Sequence, residues 1–555
     1  MHGHLDVLRS PETARKLAVM SEMNELHIFL VLALIVALAV VAKWTRQPYP
    51  IVFLLGGIAL AFIPGMPVIR LAPELVFLVF LPPLIFGDAY VTDWRQFVRY
   101  IEPITLLATG LVVVTSVSVA FVAHWVIGLP LDVGFVLGAI LSPTDTVATD
   151  AIAEETGMPR RLQSILGGES LINDATGLVL YKFAVASVMI GTFSLGSAVA
   201  QFAYVAVAGL AVGIGGGMLA YRLTRFLYER ELTDDVIAVT ISLITPFLVY
   251  LAADRIGASG VLAAAAGGMV MSRKGGGMYT PEARLVGYSV WNTMFFVFNG
   301  ALFILLGLQL RAIFAELAIF PAATLAQYAL AIAATVIFVR LAWTIIGSRI
   351  RALFRVGLTA REGGVTPISW AFISGWAGMR GIVSLAAALS LPNTVAAGAP
   401  FPARDLILFV TFAVILVTLL GQGLTLPWFI RWLRVADADT GNRPQAMARV
   451  RVAEAALSRL VELEPTFHST THWEIAGRLR ARYEEQAVHF TAHLDGSLLA
   501  SDVAQHDLER QLVRATIDAE RAALADMRHS GEIGDEVFRN MQYDIDLAES
   551  RLLAD

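Results

Sequence analysis

Two short stretches of this sequence put carboxylates into otherwise apolar chain. The first reads Gly168-Glu-Ser-Leu-Ile-Asn-Asp-Ala-Thr-Gly177. On a helix, residues four apart are neighbours, so Glu169 shares a face with Asn173 and Ser170 with Asp174. The second reads Gly138-Ala-Ile-Leu-Ser-Pro-Thr-Asp-Thr-Val-Ala148. Pro143 removes a backbone donor and disfavours helix at Ser142, which frees carbonyls near Thr144 and Asp145. Freed carbonyls, a hydroxyl, an amide and a carboxylate make a set of hard oxygens suited to a monovalent cation. Burial favours the neutral acid and a bound cation favours the ionised one. Proton and cation would then compete for one carboxylate, Asp174, which lies midway along its segment. That competition suffices for exchange if the site faces the two sides of a membrane in turn. The plainer readings are a proline kink with a polar cap and an interhelical hydrogen-bond cluster. Three carboxylates in two adjacent apolar segments are too costly for the second of these.

A third stretch, Gly375-Trp-Ala-Gly-Met-Arg-Gly381, sets Arg380 among glycines and suggests a second helix break. A buried Arg needs a carboxylate, and Glu169 is the candidate; the alternative is an Arg that reaches the membrane edge. Arg340 also falls inside an apolar run and is read as pairing internally, while Lys182 reaches the interface.

The elements that must hold these residues follow from composition. Of 555 residues, 57% are apolar and 16% charged, and the mean hydropathy is +0.67. An ordinary soluble chain carries about 25% charge. A polytopic, all-α membrane protein is the expectation, and a disordered chain or a typical cytosolic enzyme is excluded. With no Cys, disulfides, iron–sulfur clusters and Cys nucleophiles are excluded too. A net charge of −5 gives no sign of a nucleic-acid partner. About thirteen stretches are read as spans: 26–42, 48–64, 71–90, 101–128, 131–153, 162–190, 196–221, 235–254, 258–272, 287–310, 320–347, 366–391 and 405–430. Alternate loops are rich in basic residues, among them Arg46, Arg95, Arg160, Arg230, Arg273, Arg355 and Arg434. The opposite loops hold Arg70, Arg255, Arg311 and Arg404. The basic side is cytoplasmic, which puts the N-terminus outside and the C-terminus inside. Breaks in the fifth and twelfth spans fit an inverted repeat of spans 1–6 and 8–13.

Three segments are expected: a polar tail (1–25), a transmembrane domain (26–434) and a soluble helical domain (435–555). The last holds six of the ten His (His468, His472, His489, His493, His506 and His529), read as surface polarity or as pH sensing.

The three motifs, Ser142-Pro-Thr-Asp-Thr-Val-Ala148, Gly168-Glu-Ser-Leu-Ile-Asn-Asp174 and Gly378-Met-Arg-Gly381, resemble those of the monovalent cation:proton antiporter-1 family, the sodium/proton exchangers. The resemblance covers roughly 26–434. More weakly, Gly531-Glu-Ile-Gly-Asp-Glu-Val-Phe538 is similar to tails of bacterial members. The resemblance implies that Asp174 is the shared cation and proton carboxylate, and that Asn173 marks electroneutral exchange. It makes Ser170 a cation ligand and Thr144 a donor of backbone oxygen, so that Asp174, Ser170 and Thr144 hold the ion. Asp145 would shape the crossing-helix region, and Glu169 and Arg380 would form a structural ion pair. It also implies a homodimer in which a six-helix bundle moves like an elevator against a dimerisation scaffold. A bacterial inner-membrane location follows, with lipids as surroundings and no cofactor beyond the transported Na⁺ (or Li⁺ or K⁺) and H⁺. A regulatory ligand or protein at the C-terminal domain is left open. One departure stands out. Members often carry Leu-Pro-Pro-x-x-Phe-Glu, whereas Leu81-Pro-Pro-Leu-Ile-Phe-Gly87 ends in Gly and is followed by Asp88. One residue is about 100° around a helix, so Asp88 is not expected to reach the place of that Glu.

The expected function is 1:1 electroneutral exchange by alternating access, without enzyme chemistry. Two rivals are a cation channel and, through Gly257-Ala-Ser-Gly260, an intramembrane serine protease. No His lies between His124 and His468 to serve the Ser as base.

Overall fold

A computed structural model describes residues 29–64, 73–190, 195–275, 278–316, 321–354, 367–395, 398–435, 442–466, 468–495, 500–530 and short pieces up to 549. The tail 1–25, most of the 531–538 motif, and Arg70 and Arg355 lie outside them. Among the described residues all regular structure is helical apart from one isolated bridge between Thr394 and Pro400. Two compact units form, Met1–Asp437 and Ala438–Asp555.

The first unit begins with α1 (Phe29–Thr45), α2 (Tyr49–Ala61), α3 (Pro73–Val91), the short α4 (Trp94–Arg99) and α5 (Ile101–Ile127). An interrupted helix follows, α6 (Leu131–Leu141) and α7 (Val147–Thr156). Next come α8 (Arg160–Ile190), α9 (Leu195–Glu229), α10 (Asp235–Arg255), α11 (Gly260–Gly275), α12 (Pro281–Glu316) and α13 (Ala322–Phe354). A second interrupted helix, α14 (Ile368–Trp376) and α15 (Ile382–Leu389), precedes α16 (Arg404–Trp432). Eight of the described helices are long and apolar enough to cross a membrane.

Proline accounts for two of the local irregularities. Pro82 and Pro83 cannot donate back along α3, and their rings would press on the carbonyls four residues earlier. The turn Val76–Phe80 widens to relieve this, with Leu81 N bonding Val76 O. A similar wide turn, Thr418–Gln422, precedes Pro427 inside α16.

Packing depends on small residues, as it must where water does not drive helices together. Gly209, Gly213 and Gly217 of α9 lie against the backbone of Ser259, Ala263 and Gly267. Gly134 and Gly138 of α6 do the same against Ala120 and Ser116 of α5. A Cβ at any of these positions would push the pair apart. The apolar interior forms two clusters. One gathers residues of α2, α6, α12, α13, α15 and α16, and the other gathers residues of α3, α8, α10 and α11.

The second unit contains α17 (Asn442–Leu463), α18 (Thr470–Asp495) and α19 (Ala500–His529). The turn Glu464–Thr466 folds α17 against α18, and Glu464 pairs with Arg480 across it. Of its histidines, His489 meets the Phe490 ring edge-on and His472 Nδ1 accepts from His468 N.

Candidate cation site at two interrupted helices

The two breaks meet. Residues 142–146 between α6 and α7 are not helical, nor are 377–381 between α14 and α15. Asp145 N donates to Met379 O at 2.9 Å, and Thr149 Oγ1 donates to Ala377 O at 3.2 Å. Each break therefore satisfies backbone groups of the other, as non-helical backbone in a membrane requires. Asp145 also accepts from Val147 N at 2.9 Å, so it caps α7. Gly381 is where it is because a Cβ there would strike the Asp145 carboxylate. Thr418, in the wide turn of α16, accepts from Arg380 N at 3.1 Å.

α8 runs past this junction and presents its polar face to Thr144. Ser170 Oγ donates to Thr144 O at 3.1 Å. Asn173 Nδ2 donates to Thr144 Oγ1 at 2.6 Å, and Thr144 Oγ1 donates to Glu169 Oε1 at 3.2 Å. Asn173 Oδ1 is buried and has no hydrogen-bond partner among the described residues. Ser170, Asn173 and Thr144 thus come together around one carbonyl and one unmatched amide oxygen.

The ion pair differs from the expectation. Glu169 is held by Arg340, not by Arg380: Arg340 Nη1 donates to Oε1 and Nη2 to Oε2, the latter at 2.8 Å. This fork-to-fork geometry is the strong form of the contact, and both side chains are 2% exposed. Arg340 Nε also donates to Ser374 O at 3.3 Å. The reason is local backbone shape. Arg340 passes over the second break at Gly378, where any Cβ would occupy the space of its guanidinium. Arg380 is fully buried within Coulombic range of both Arg340 and Glu169, and its Nε and Nη1 have no hydrogen-bond partner among the described residues.

Asp174 is half-buried and lines a cavity of about 50 Å³ with Asp88, Thr144, Asp145, Ser170 and Ser384. A water needs roughly 10–15 Å³, so the space takes an ion with a few waters. No hydrogen bond to the Asp174 carboxylate occurs among the described residues. The carboxylates thus have separate situations. Glu169 is neutralised by Arg340, Asp145 is committed to the junction, and Asp174 faces the cavity.

Two cavity residues escaped the sequence reading. Ser384, in the first turn of α15, is 1% exposed and its Oγ lacks a partner among the described residues. Asn299 of α12 also lines the cavity. It is the one amide in the apolar run 294–306, a signal that was available. Asp88, which follows Gly87 in the third segment, lines the same cavity as Asp174. Ser259, the protease candidate, accepts from Leu262 N at 3.2 Å as the cap of α11, and Gly209 packs against it.

The family model described as sodium/hydrogen exchanger, transmembrane, matches residues 30–432. The chain belongs to the sodium/hydrogen exchanger family. Cation–proton exchange, rather than channel flux or proteolysis, is accordingly its class of function. It is 34% identical to the uncharacterized Na(+)/H(+) exchanger YjcE of Escherichia coli (strain K12), over 94% of this chain and 98% of that one. It is 32% identical to the sodium, potassium, lithium and rubidium/H(+) antiporter of Bacillus subtilis (strain 168), over 93% of this chain and 77% of that one. The solved sodium proton antiporter MjNhaP1 of Methanocaldococcus jannaschii superposes with a TM-score of 0.58 at 18% identity. That match covers 74% of this chain and 98% of the other, and shows a shared fold.

Proposed function

We propose that this exchanger moves one monovalent cation against one proton without net charge, by alternating access, with both ions competing for Asp174. The observation that carries this is the placement of Asp174. It is a carboxylate with cavity access, bonded to nothing among the described residues, beside a junction of interrupted helices rich in carbonyl and hydroxyl oxygen. Such junctions are where transporters hold ions. In this reading Ser170 and Thr144 O release one another to ligate the cation, and Asn173 Oδ1 lies beside them. The neutral Asn173 leaves Asp174 as the one carboxylate at this position that changes charge state in the cycle. Na⁺ is the first candidate cargo, with Li⁺ and K⁺ as the others.

The wider assignment is proposed with it. The chain crosses the bacterial inner membrane about thirteen times as two inverted repeats and works as a homodimer. Residues 435–555 form a cytoplasmic helical domain open to a regulatory ligand or protein. The asymmetry of basic loops supports the orientation.

The test uses purified protein in sealed vesicles carrying a proton gradient. Na⁺, Li⁺ or K⁺ is added, and valinomycin with K⁺ on both sides clamps the voltage in the Na⁺ and Li⁺ runs. At least one ion is expected to collapse the gradient at a rate the clamp leaves unchanged. Acceleration by the clamp would overturn electroneutrality, and no collapse with folded protein would overturn the exchange reading for these ions.

A further inference from the structure

A larger groove lies away from the ion cavity, lined by α8, α9, α11 and the start of α5, with a volume of about 620 Å³. Its lining follows helical spacing. Ala206, Leu210 and Ile214 face it from α9, and Leu171, Ala175 and Val179 face it from α8, each set four residues apart. Ala175 and Val179 are buried although they line it, so the space is a slot and not a flat lipid-facing surface. Its threonine hydroxyls, Thr109 and Thr176, donate to carbonyls of their own helices. Such a space offers little to water and much to hydrocarbon.

One end of the slot is charged. Arg273, in the last turn of α11, is the one charged residue among the described lining, and its Cζ lies 5.7 Å from the centroid of the Trp94 ring. Arg273 makes no ion pair and no hydrogen bond among the described residues. Lys274 and Arg95, the next residues on the two walls, are exposed. The acid beside them in sequence, Asp93, is spent on capping α4, where it accepts from Arg95 N at 2.8 Å. This end belongs to the side of the basic loops. A Trp beside basic residues at the mouth of an apolar slot matches the layers of a phospholipid, with phosphate at the mouth and acyl chain within.

We propose that this slot binds a phospholipid with an anionic headgroup, one acyl chain lying between α8 and α9 and the phosphate held at Arg273, and that its occupancy sets the rate of exchange. The link to rate comes from α8. Asp174 faces the ion cavity and Ala175, about 100° further round, faces the slot, so one turn of helix lines both. Movement of α8 during alternating access therefore changes the slot around the chain. The binding site goes beyond the exchange reading above, and only its effect on rate rests on that reading.

Native mass spectrometry tests the site in detergent-purified, full-length protein equilibrated with equal amounts of phosphatidylglycerol and phosphatidylcholine. Wild type is expected to retain phosphatidylglycerol in preference. Arg273→Gln should weaken that retention about fivefold, the scale of one basic residue at an anionic membrane surface. Arg273→Lys should recover most of it. Arg349→Gln removes an exposed charge of the same side outside the slot and should change nothing. Ala206→Phe fills the slot from α9 and should also cut retention, with Ala206→Leu in its place if that variant does not fold. The same proteins are then assayed for exchange at saturating cation, in phosphatidylcholine vesicles with and without phosphatidylglycerol. Dependence of the rate on phosphatidylglycerol should appear in wild type and Arg349→Gln and be lost in Arg273→Gln and Ala206→Phe. Undiminished retention in Arg273→Gln or in Ala206→Phe would overturn the site. A dimer content that falls with Ala206→Phe would mean that a second copy covers the slot, and would overturn it too. Lost retention with unchanged lipid dependence would overturn the link to rate. Retention as expected with no exchange by wild type would instead overturn the exchange reading, and leave the lipid site standing.

Discussion

Asp174→Asn leaves a folded protein that no longer exchanges ions. The substitution keeps the shape of the side chain and removes both its charge and its capacity to carry a proton. Asp174 makes no hydrogen bond among the described residues, so little structure depends on it. Stability should remain within roughly 1 kcal/mol of wild type, as for substitutions that break no buried contact. Transport has no such tolerance, because an amide cannot take up and release the proton that each cycle exchanges for the cation. Cation-driven proton movement in vesicles should fall to the level of vesicles without protein, while melting in detergent is unchanged. Residual exchange well above that level would remove Asp174 from the mechanism.

The second large effect is on stability. Arg340→Ala strips Glu169 of both guanidinium donors, keeps only the Thr144 hydroxyl, and leaves an anion in a site with 2% exposure. Breaking a buried pair from one side costs on the order of 3–5 kcal/mol. A protein so damaged should melt far lower or fail to accumulate. Arg380→Ala leaves the Glu169–Arg340 fork intact and should cost less, although it empties a buried volume. Ranking the two melting temperatures decides between the arginines. If Arg380→Ala proved the more damaging, Glu169 would belong to Arg380 after all.

That contrast shows where the sequence was legible. The three motifs named the neighbourhood, because carboxylates, Pro143 and clustered glycines are conspicuous in apolar chain. The breaks at 142–146 and 377–381 follow from the same residues, since proline and glycine act locally. The partner of Glu169 could not be read this way. Two buried arginines competed for it, and the one that holds it lies 171 residues away. The choice turns on how α13 crosses the second break, and on Gly378 leaving room for a guanidinium there. Asp88 illustrates the same limit. Helix geometry sets it about 100° around from position 87. Its arrival at the Asp174 cavity rests on how α3 packs against elements far away in the chain, such as α12, whose Phe295 ring occupies the space beside Gly87.

The central claim is that cation and proton share one carboxylate, and cis-side competition tests it most directly. Vesicles are held at fixed internal pH, and cation uptake is followed against external cation concentration as external pH is lowered. Sharing predicts that external protons raise the cation KM, in proportion to their concentration once they occupy the site, while saturating cation restores the same maximal rate. A fall in maximal rate at constant KM would mean that the proton acts at a site the cation never occupies, and would contradict the account.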